Sequence, residues 1–439
     1  MRMTVIGTGY LGAVHAACMA KVGHEVLGVD ADPDRVALLE QGRAPFFEPG
    51  LEELLGRAVG AGKLRFATGL QQAADFADLH FICVGTPQCG GSNSADLTGV
   101  HAVVDDLVPR LTRDSLLVGK STVPVGTASQ LAVRAANLAA DGIDVGIAWN
   151  PEFLREGTAI RDTLQPERIV VGTSSARADQ VLRAAYGFML EQGTPYISTD
   201  VNTAELVKGS ANAFLATKLS FINAMADMCE AAGGDILTLS EALGHDSRIG
   251  RAYLSAGLGF GGSCLAKDIR AFVARASELG VEDSLSFLRE VDEYNLRRRA
   301  KTVDIARELV GGSFERSNVA VLGAAFKPDT DDVRDSPALH VAAAVRGQGA
   351  QVRVHDPKAN DNAREVMPHL DYAPDARQAC EDADVVMHLT EWRQYRDLDP
   401  AELGSVVRQR RLVDARNTLP SSRWLAAGWT VRGLGRLAG

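Results

Sequence analysis

No apolar run in this chain approaches the ~20 residues that a membrane-spanning helix needs, so the sequence offers no transmembrane segment. Positive charge is not in excess either. Lys and Arg number 46 against 56 Asp and Glu, a formal net charge of −10. That argues against general nucleic-acid binding, whose footprint is basic. An anionic small ligand stays open, because a local cluster of Lys and Arg outweighs the global sign. The six cysteines, Cys18, Cys83, Cys89, Cys229, Cys264 and Cys380, form no CxxC pair and no metal-ligand spacing. Thiols so scattered read as reduced cysteines of a cytoplasmic protein, with no metal site. The N-terminal Met1-Arg-Met-Thr-Val-Ile-Gly7 enters a strand at once, which leaves no room for a signal peptide. Low-complexity stretches are missing as well.

At 439 residues, with 46% hydrophobic and 23% charged side chains, the chain has the composition of a globular protein of about two or three domains. Short β-branched runs alternate with helical stretches through the first part. Thr4–Ile6, Glu25–Asp30, Leu79–Val84, Ser115–Lys120, Asp144–Trp149 and Glu167–Val171 read as strands, and Leu11–Val22 as a helix. That order predicts a parallel sheet with helices on both faces. From about Thr199 the pattern changes. Ala204–Ala232 has apolar residues at helical spacing with Gly209 as its sole interior glycine, and helices are expected to continue to about Leu309. At Val319 the α/β rhythm returns and echoes the first part. Val319–Gly323 matches Thr4–Gly7, Ala350–Asp356 matches His24–Asp30, Ala383–Leu389 matches Ala77–Cys83, and Arg411–Asp414 matches Leu116–Gly119. The expected plan is α/β: two Rossmann-like, doubly wound domains at 1–198 and 311–439, joined by a central helical domain at 199–310. The long helix is the expected homodimer surface.

Two motifs carry chemistry. Gly7-Thr-Gly9-Tyr-Leu-Gly12 is a G-x-G-x-x-G that follows a strand, opens a helix, and precedes a second strand ending in Asp30, the context the dinucleotide fingerprint requires. Gly7 permits the tight turn, Gly9 the approach to the pyrophosphate, and Gly12 close helix packing. Asp30 would accept the adenosine ribose hydroxyls and repel a 2′-phosphate, which favours NAD over NADP. Arg35 would contact the adenosine or stay a solvated helix residue. The equivalent turn in the second half, Gly323-Ala-Ala-Phe-Lys-Pro, lacks the glycines, so that half keeps the fold and binds something else. The other motif is Gly257-Leu-Gly-Phe-Gly-Gly-Ser-Cys264-Leu-Ala-Lys267-Asp268. Four glycines within six residues suit a backbone passing close to a bulky ligand and then turning sharply. A helix starting near Ser263 would place Cys264 at its N-terminus, sharing a face with Lys267 and Asp268, where dipole and ammonium favour the nucleophilic thiolate. The bland alternative is a small buried cysteine.

Further blocks complete the picture: Lys120-Ser-Thr122-Val-Pro-Val, Asn150-Pro-Glu-Phe-Leu-Arg-Glu156-Gly, Glu205-Leu-Val-Lys208-Gly-Ser-Ala-Asn212-Ala-Phe and Phe326-Lys-Pro-Asp-Thr-Asp-Asp-Val-Arg334-Asp-Ser-Pro. With the Cys264 loop, and in this order over nearly the whole chain, the sequence resembles the UDP-glucose/GDP-mannose dehydrogenases. The resemblance implies a double oxidation of a nucleotide sugar, C6 alcohol to aldehyde to carboxylate, with each hydride passed to NAD. Cys264 would hold the aldehyde as a thiohemiacetal, and the thioester formed next would be hydrolysed. Lys208 and Asn212, one turn apart, would stabilise the oxyanion. Asp268 would assist proton transfer, Glu152 would act as general base toward water, and Thr122 would place that water or the nicotinamide. Tyr10, Leu11, Val84, Thr86, Thr122, Glu156, Lys267 and Arg334 join the cofactor side. The sugar nucleotide would meet Glu152, Phe153, Leu154, Arg155, Lys208, Asn212, Tyr253, Ser255, Gly257, Phe260, Gly261, Phe326, Lys327 and Arg416, with Arg248 donated across a dimer.

Some positions depart from the family pattern. Leu265 stands where many members carry an aromatic residue, Ala266 replaces a frequent proline, and Ser255 a lysine. UDP-glucose is the expected substrate, with GDP-mannose or a UDP-N-acetylhexosamine as alternatives. A one-step hydroxyacid-type dehydrogenase and a non-catalytic NAD-binding regulator are the readings from further afield.

Overall fold

The computed structural model describes residues 1–436. The chain forms two compact units: Met1–Ala211 with Arg270–Glu282, and Asn212–Ile269 with the chain from Asp283 on.

The first unit is built on eight strands: β1 Arg2–Ile6, β2 Glu25–Val29, β3 Leu64–Ala67, β4 Leu79–Ile82, β5 Ser115–Gly119, β6 Val145–Trp149, β7 Ile169–Gly172 and β8 Tyr196–Thr199. Their order is β3-β2-β1-β4-β5-β6-β7-β8. Strands such as β4 and β5 are buried along their whole length, as near-continuous apolar runs covered on both faces must be. One core cluster, with Met3, Val5, Val14, Phe81 and Leu182, and a second, with Ile6, Val104, Leu117 and Trp149, account for the burial. The chain winds outward from β1 to β3 and restarts at β4 on the other side of β1, which creates a switch point between the C-terminal ends of β1 and β4. One pairing departs from the parallel expectation. β7 meets β6 antiparallel, through Trp149 and Gly172 alone, and β7 then pairs in parallel with β8. The strands β3 and β8, 4 residues each, were not among those read from the sequence.

The second unit carries six strands: β9 Asn318–Leu322, β10 Gln351–His355, β11 Asp371–Tyr372, β12 Val385–His388, β13 Arg411–Asp414 and β14 Thr430–Gly433. Their order, β11-β10-β9-β12-β13-β14, repeats the winding of the first six strands of the other sheet, and all its pairings are parallel. The internal echo in the sequence is therefore a repeat of topology.

Between the sheets in sequence lie the helices Val201–Ala232, Leu265–Glu278 and Phe287–Leu309. The first is 32 residues long and contains Gly209, where an added Cβ would lie 3.5 Å from the Phe272 ring, an ordinary packing distance. Among the described residues no helix is long and apolar enough to cross a membrane.

Candidate active site

In the first unit the fingerprint turn is fixed by what a side chain would strike. Gly7 has φ +87°, and a Cβ there would lie 2.8 Å from the Val84 nitrogen; one on Gly12 would lie 1.8 Å from the Gly7 carbonyl oxygen. Gly9, at the start of the helix Tyr10–Lys21, faces open space within 4 Å. Two glycines thus close the turn, and the third leaves the helix N-terminus approachable by phosphate. Asp30 Oδ2 accepts from the Thr8 N–H at 2.7 Å and the Thr8 hydroxyl at 3.1 Å, while Oδ1 accepts from the Asp32 N–H and Arg35 Nη1, each at 3.0 Å. Burial pushes this carboxyl up, but the two N–H donors and Arg35 outweigh it and hold its pKa below the usual value. The geometry fits a dinucleotide: an ionised acceptor stands at the end of β2 beside a glycine turn. Arg35 is held to Asp30 and Asp32.

The loops after β4 and β5 are tied together. The Thr86 hydroxyl donates to the Thr122 carbonyl at 2.7 Å and the Ser121 hydroxyl to the Val84 carbonyl at 2.6 Å. Lys120, buried, donates to Asn150 Oδ1 at 2.9 Å, and burial pushes its pKa down. Asn150 opens the loop that carries Glu152. Lys208 Nζ lies 3.0 Å from Glu152 Oε1 and 5.7 Å from the centre of the Phe153 ring. Glu152 Oε2 accepts from the Leu154 N–H at 2.7 Å. Arg155 pairs with Asp162 at 2.8 Å. The end of the loop, with Glu156, is fastened by a residue that the sequence reading missed. Glu48, 5% exposed, accepts from the N–H groups of Gly157 at 2.6 Å and Ala159 at 2.8 Å, and from the Tyr10 hydroxyl.

In the second unit Cys264 is exposed and immediately precedes the helix Leu265–Glu278, as expected. Its carbonyl accepts from the Asp268 N–H at 2.8 Å, and its sulfur lies 3.5 Å from the Ser263 hydroxyl. Asp268 is 3% exposed. Lys267 Nζ stands 2.8 Å from one of its oxygens and Asn212 Nδ2 donates to the other at 2.6 Å. Among the described residues no cluster of His, Cys, Asp and Glu could hold a metal.

The glycines before Cys264 pass close to the protein's own chain. A Cβ on Gly257 would meet the Ala415 carbonyl at 2.8 Å, one on Gly261 the Asp335 carbonyl at 2.2 Å, and one on Gly262, at φ +82°, the Phe326 ring at 2.7 Å. Asn295, unremarked in the sequence, mimics a strand partner. Its Oδ1 accepts from the Phe260 N–H at 2.8 Å and its Nδ2 donates to the Phe260 carbonyl at 2.9 Å. Arg416 donates to the carbonyls of Leu389 at 2.7 Å, Gly259 at 3.1 Å and Phe326 at 3.3 Å, and pairs with Glu391 at 3.2 Å. Lys327 Nζ lies 5.6 Å from the Phe326 ring centre. Tyr253 has φ +62°, and Ser255 is exposed between the buried Leu254 and Ala256. Arg334 and Arg248 extend outward, paired with Asp332 and Asp246 at 2.7 and 2.6 Å.

The turn after β9 is built differently from the fingerprint turn. Asp356, at the position of Asp30, accepts from the N–H groups of Ala324, Ala325, Lys358 and Ala359 and from Trp392 Nε1, at 2.7 to 3.0 Å. Both oxygens of Asp356 thus accept from the protein itself, as those of Asp30 do, with an indole N–H among the donors.

Three family profiles match the chain in order: the UDP-glucose/GDP-mannose dehydrogenase family NAD binding domain over residues 1–189, the central domain over 202–297, and the UDP binding domain over 320–421. The chain belongs to the UDP-glucose/GDP-mannose dehydrogenase family. It is an NAD-dependent oxidoreductase. Similar curated members include the UDP-glucose 6-dehydrogenase of Rhizobium meliloti, 40% identical over 99% of this chain and 100% of the relative, and that of Pseudomonas aeruginosa, 39% identical over 99% and 98%. A solved UDP-glucose dehydrogenase from Pyrobaculum islandicum superposes with a TM-score of 0.91 at 39% identity, covering 99% of this chain and 98% of that one.

Proposed function

We propose that this dehydrogenase oxidises UDP-glucose at C6 to UDP-glucuronate in two steps, with Cys264 as the covalent holder of the half-oxidised sugar. The observation that carries the reading is the exposed thiol at a helix N-terminus, one turn before a buried Asp268 shared by Lys267 and Asn212. Curated UDP-glucose 6-dehydrogenases of about 40% identity, matched from end to end, support the substrate. NAD, when bound, takes up the hydride at each oxidation. Every other task falls to the chain. The ammonium of Lys208 and the amide of Asn212 stabilise negative charge on the C6 oxygen. Cys264 sulfur adds to the aldehyde carbon, and the C6 oxygen gains a proton, which gives a thiohemiacetal. After the second oxidation has made a thioester, Glu152 takes a proton from water. The water oxygen bonds to C6, the C–S bond breaks, and the thiolate and the acid are released. Asp268 steers the proton traffic, and Thr122 orients the nicotinamide or the water.

Tyr10, Leu11, Val84, Thr86, Glu156, Lys267 and Arg334 serve the cofactor side in this reading. Phe153, Leu154, Arg155, Tyr253, Ser255, Gly257, Phe260, Gly261, Phe326, Lys327 and Arg416 serve the sugar nucleotide. The domain plan at 1–198, 199–310 and 311–439 follows the same division of labour. A homodimer through the long helix is supported by Phe214, Phe221 and Met228. They recur every seven residues on one side and are 67, 50 and 60% exposed. Such a seam is dear to leave in water. Arg248 would cross that interface. Six thiols with no disulfide agree with a reducing cytoplasm.

The test is stoichiometric. A limiting amount of UDP-glucose with excess NAD should give two NADH per sugar, and Cys264→Ser should release no free acid. Normal acid production by that variant would remove the covalent step. Faster turnover of GDP-mannose or of UDP-N-acetylmannosamine would reassign the substrate. A UDP-D-ManNAc dehydrogenase from Pyrococcus horikoshii shares the fold at 25% identity.

A further inference from the structure

Glu205 is 3% exposed and lies three residues before Lys208 on the same helix. Its two oxygens accept from the backbone N–H groups of Gly126, at 2.7 Å, and Ala128, at 2.6 Å. Those amides open the helix Thr127–Leu138, whose first residue follows the loop Lys120–Gly126. Gly126 has φ +98°, so the chain makes a left-handed turn there with no side chain of its own to cap the helix. Arg275 completes the grip by donating from Nε to the Val125 carbonyl at 3.0 Å. A buried carboxylate therefore joins the helical turn of Lys208 to the loop of Thr122.

We propose that Glu205 is a positioning residue: its carboxylate clamps the amides of Gly126 and Ala128 and so fixes the Thr122 loop against the helical turn that carries Lys208. The role rests on reading Lys208 and Thr122 as parts of the reaction centre. A carboxylate accepts both N–H groups at once, whereas a protonated acid must turn one oxygen into a donor facing an N–H, and one bond is lost. Burial raises the pKa of Glu205 to about 7, against the opposing pull of the two amides and of Arg275. The facing charges are few. Arg275 is itself paired with Glu278 at 2.7 Å, Lys208 pairs with Glu152, and residues 121–131 contain no titratable side chain. The clamp thus opens as pH falls below about 7. Stability runs the other way. A carboxyl whose folded pKa is raised contributes stability that is full below its unfolded value, near 4.5, and lost as pH rises through about 7. Holding Glu205 ionised costs stability and maintains geometry, the signature of a functional group.

The experiment compares the wild-type enzyme with Glu205→Gln, which keeps the size and removes the second acceptor. The variant is expected to lose about 10- to 100-fold in kcat, the scale of a small misplacement in an active site. KM values should stay within a few-fold, the acid limb of the kcat–pH profile should vanish, and Tm at pH 8 should equal or exceed that of the wild type. Hydrogen exchange at Gly126 and Ala128, corrected for intrinsic rate, should speed up in the variant, and in the wild type below about pH 7. Unchanged exchange at those amides, or full kcat with the acid limb intact, overturns the proposal. Loss of kcat with a lowered Tm and the limb intact also overturns it, as a purely structural role. Failure of the reading beneath it looks different: the wild type would make no NADH from UDP-glucose, while the exchange measurement still reports the clamp.

Discussion

Lys208 Nζ sits 3.0 Å from Glu152 Oε1, with the two side chains 7% and 14% exposed. An ammonium and a carboxylate in such a setting hold each other in place, and each is available to exchange its partner for a reacting oxygen or a water. Lys208→Ala should lower kcat by about 10²–10³-fold, the cost of removing one oxyanion donor. Steady-state kinetics should show little change in KM for UDP-glucose. A loss confined to KM would demote Lys208 to a binding residue.

Asp30 commits both oxygens to Thr8, Asp32 and Arg35 and still stands at the end of β2. Asp30→Asn should raise KM for NAD about tenfold or more and narrow the preference over NADP. Initial rates with both cofactors measure this. An unchanged ratio would show that selectivity resides elsewhere.

Acid sensitivity should come from buried imidazoles. His80, fully buried against the Thr4 hydroxyl at 2.7 Å, is pushed down by burial to about 3. The unfolded chain protonates it near 6.5 and the folded chain does not, so stability falls as pH drops from 6.5 toward 3. The slope is at most about 1.4 kcal/mol per pH unit for this residue. Urea denaturation at pH 7 and pH 5 should show a shallower loss in His80→Gln than in the wild type. Buried His15 shifts the same way and keeps part of the slope in the variant.

The seam on the long helix makes the oligomer testable. Phe221→Glu, at a site 50% exposed, should leave the fold intact and convert a dimer to monomer in light scattering after gel filtration. A charge at the core of an apolar interface cannot be paired there. A monomeric wild type would refute the proposed surface.

The sequence revealed the repeated winding because alternation of short apolar runs and helices is local, and it marked Cys264 because four glycines are conspicuous. It hid the protein neighbours of those glycines, since Ala415, Asp335 and Phe326 are far away in sequence. Glu205, Lys208 and Asn212 at spacings of three and four form a polar stripe on one face of a helix with many apolar residues, a signal that was there to read. Asn295 is similar: it follows Leu288 and Val291 on the buried face of its helix. Glu48 left no such trace, because its partners Gly157 and Ala159 are brought to it only by the folded sheet.

Asp356 and Trp392 bear on any attempt to install a second redox centre in this scaffold. Putting glycines at Ala325 and Pro328 would rebuild the phosphate turn on paper. The carboxylate meant for a ribose would still be bonded to an indole N–H 3.0 Å away. The duplicated half has diverged at its acceptor as well as at its glycines, and a designer would have to evict the tryptophan first.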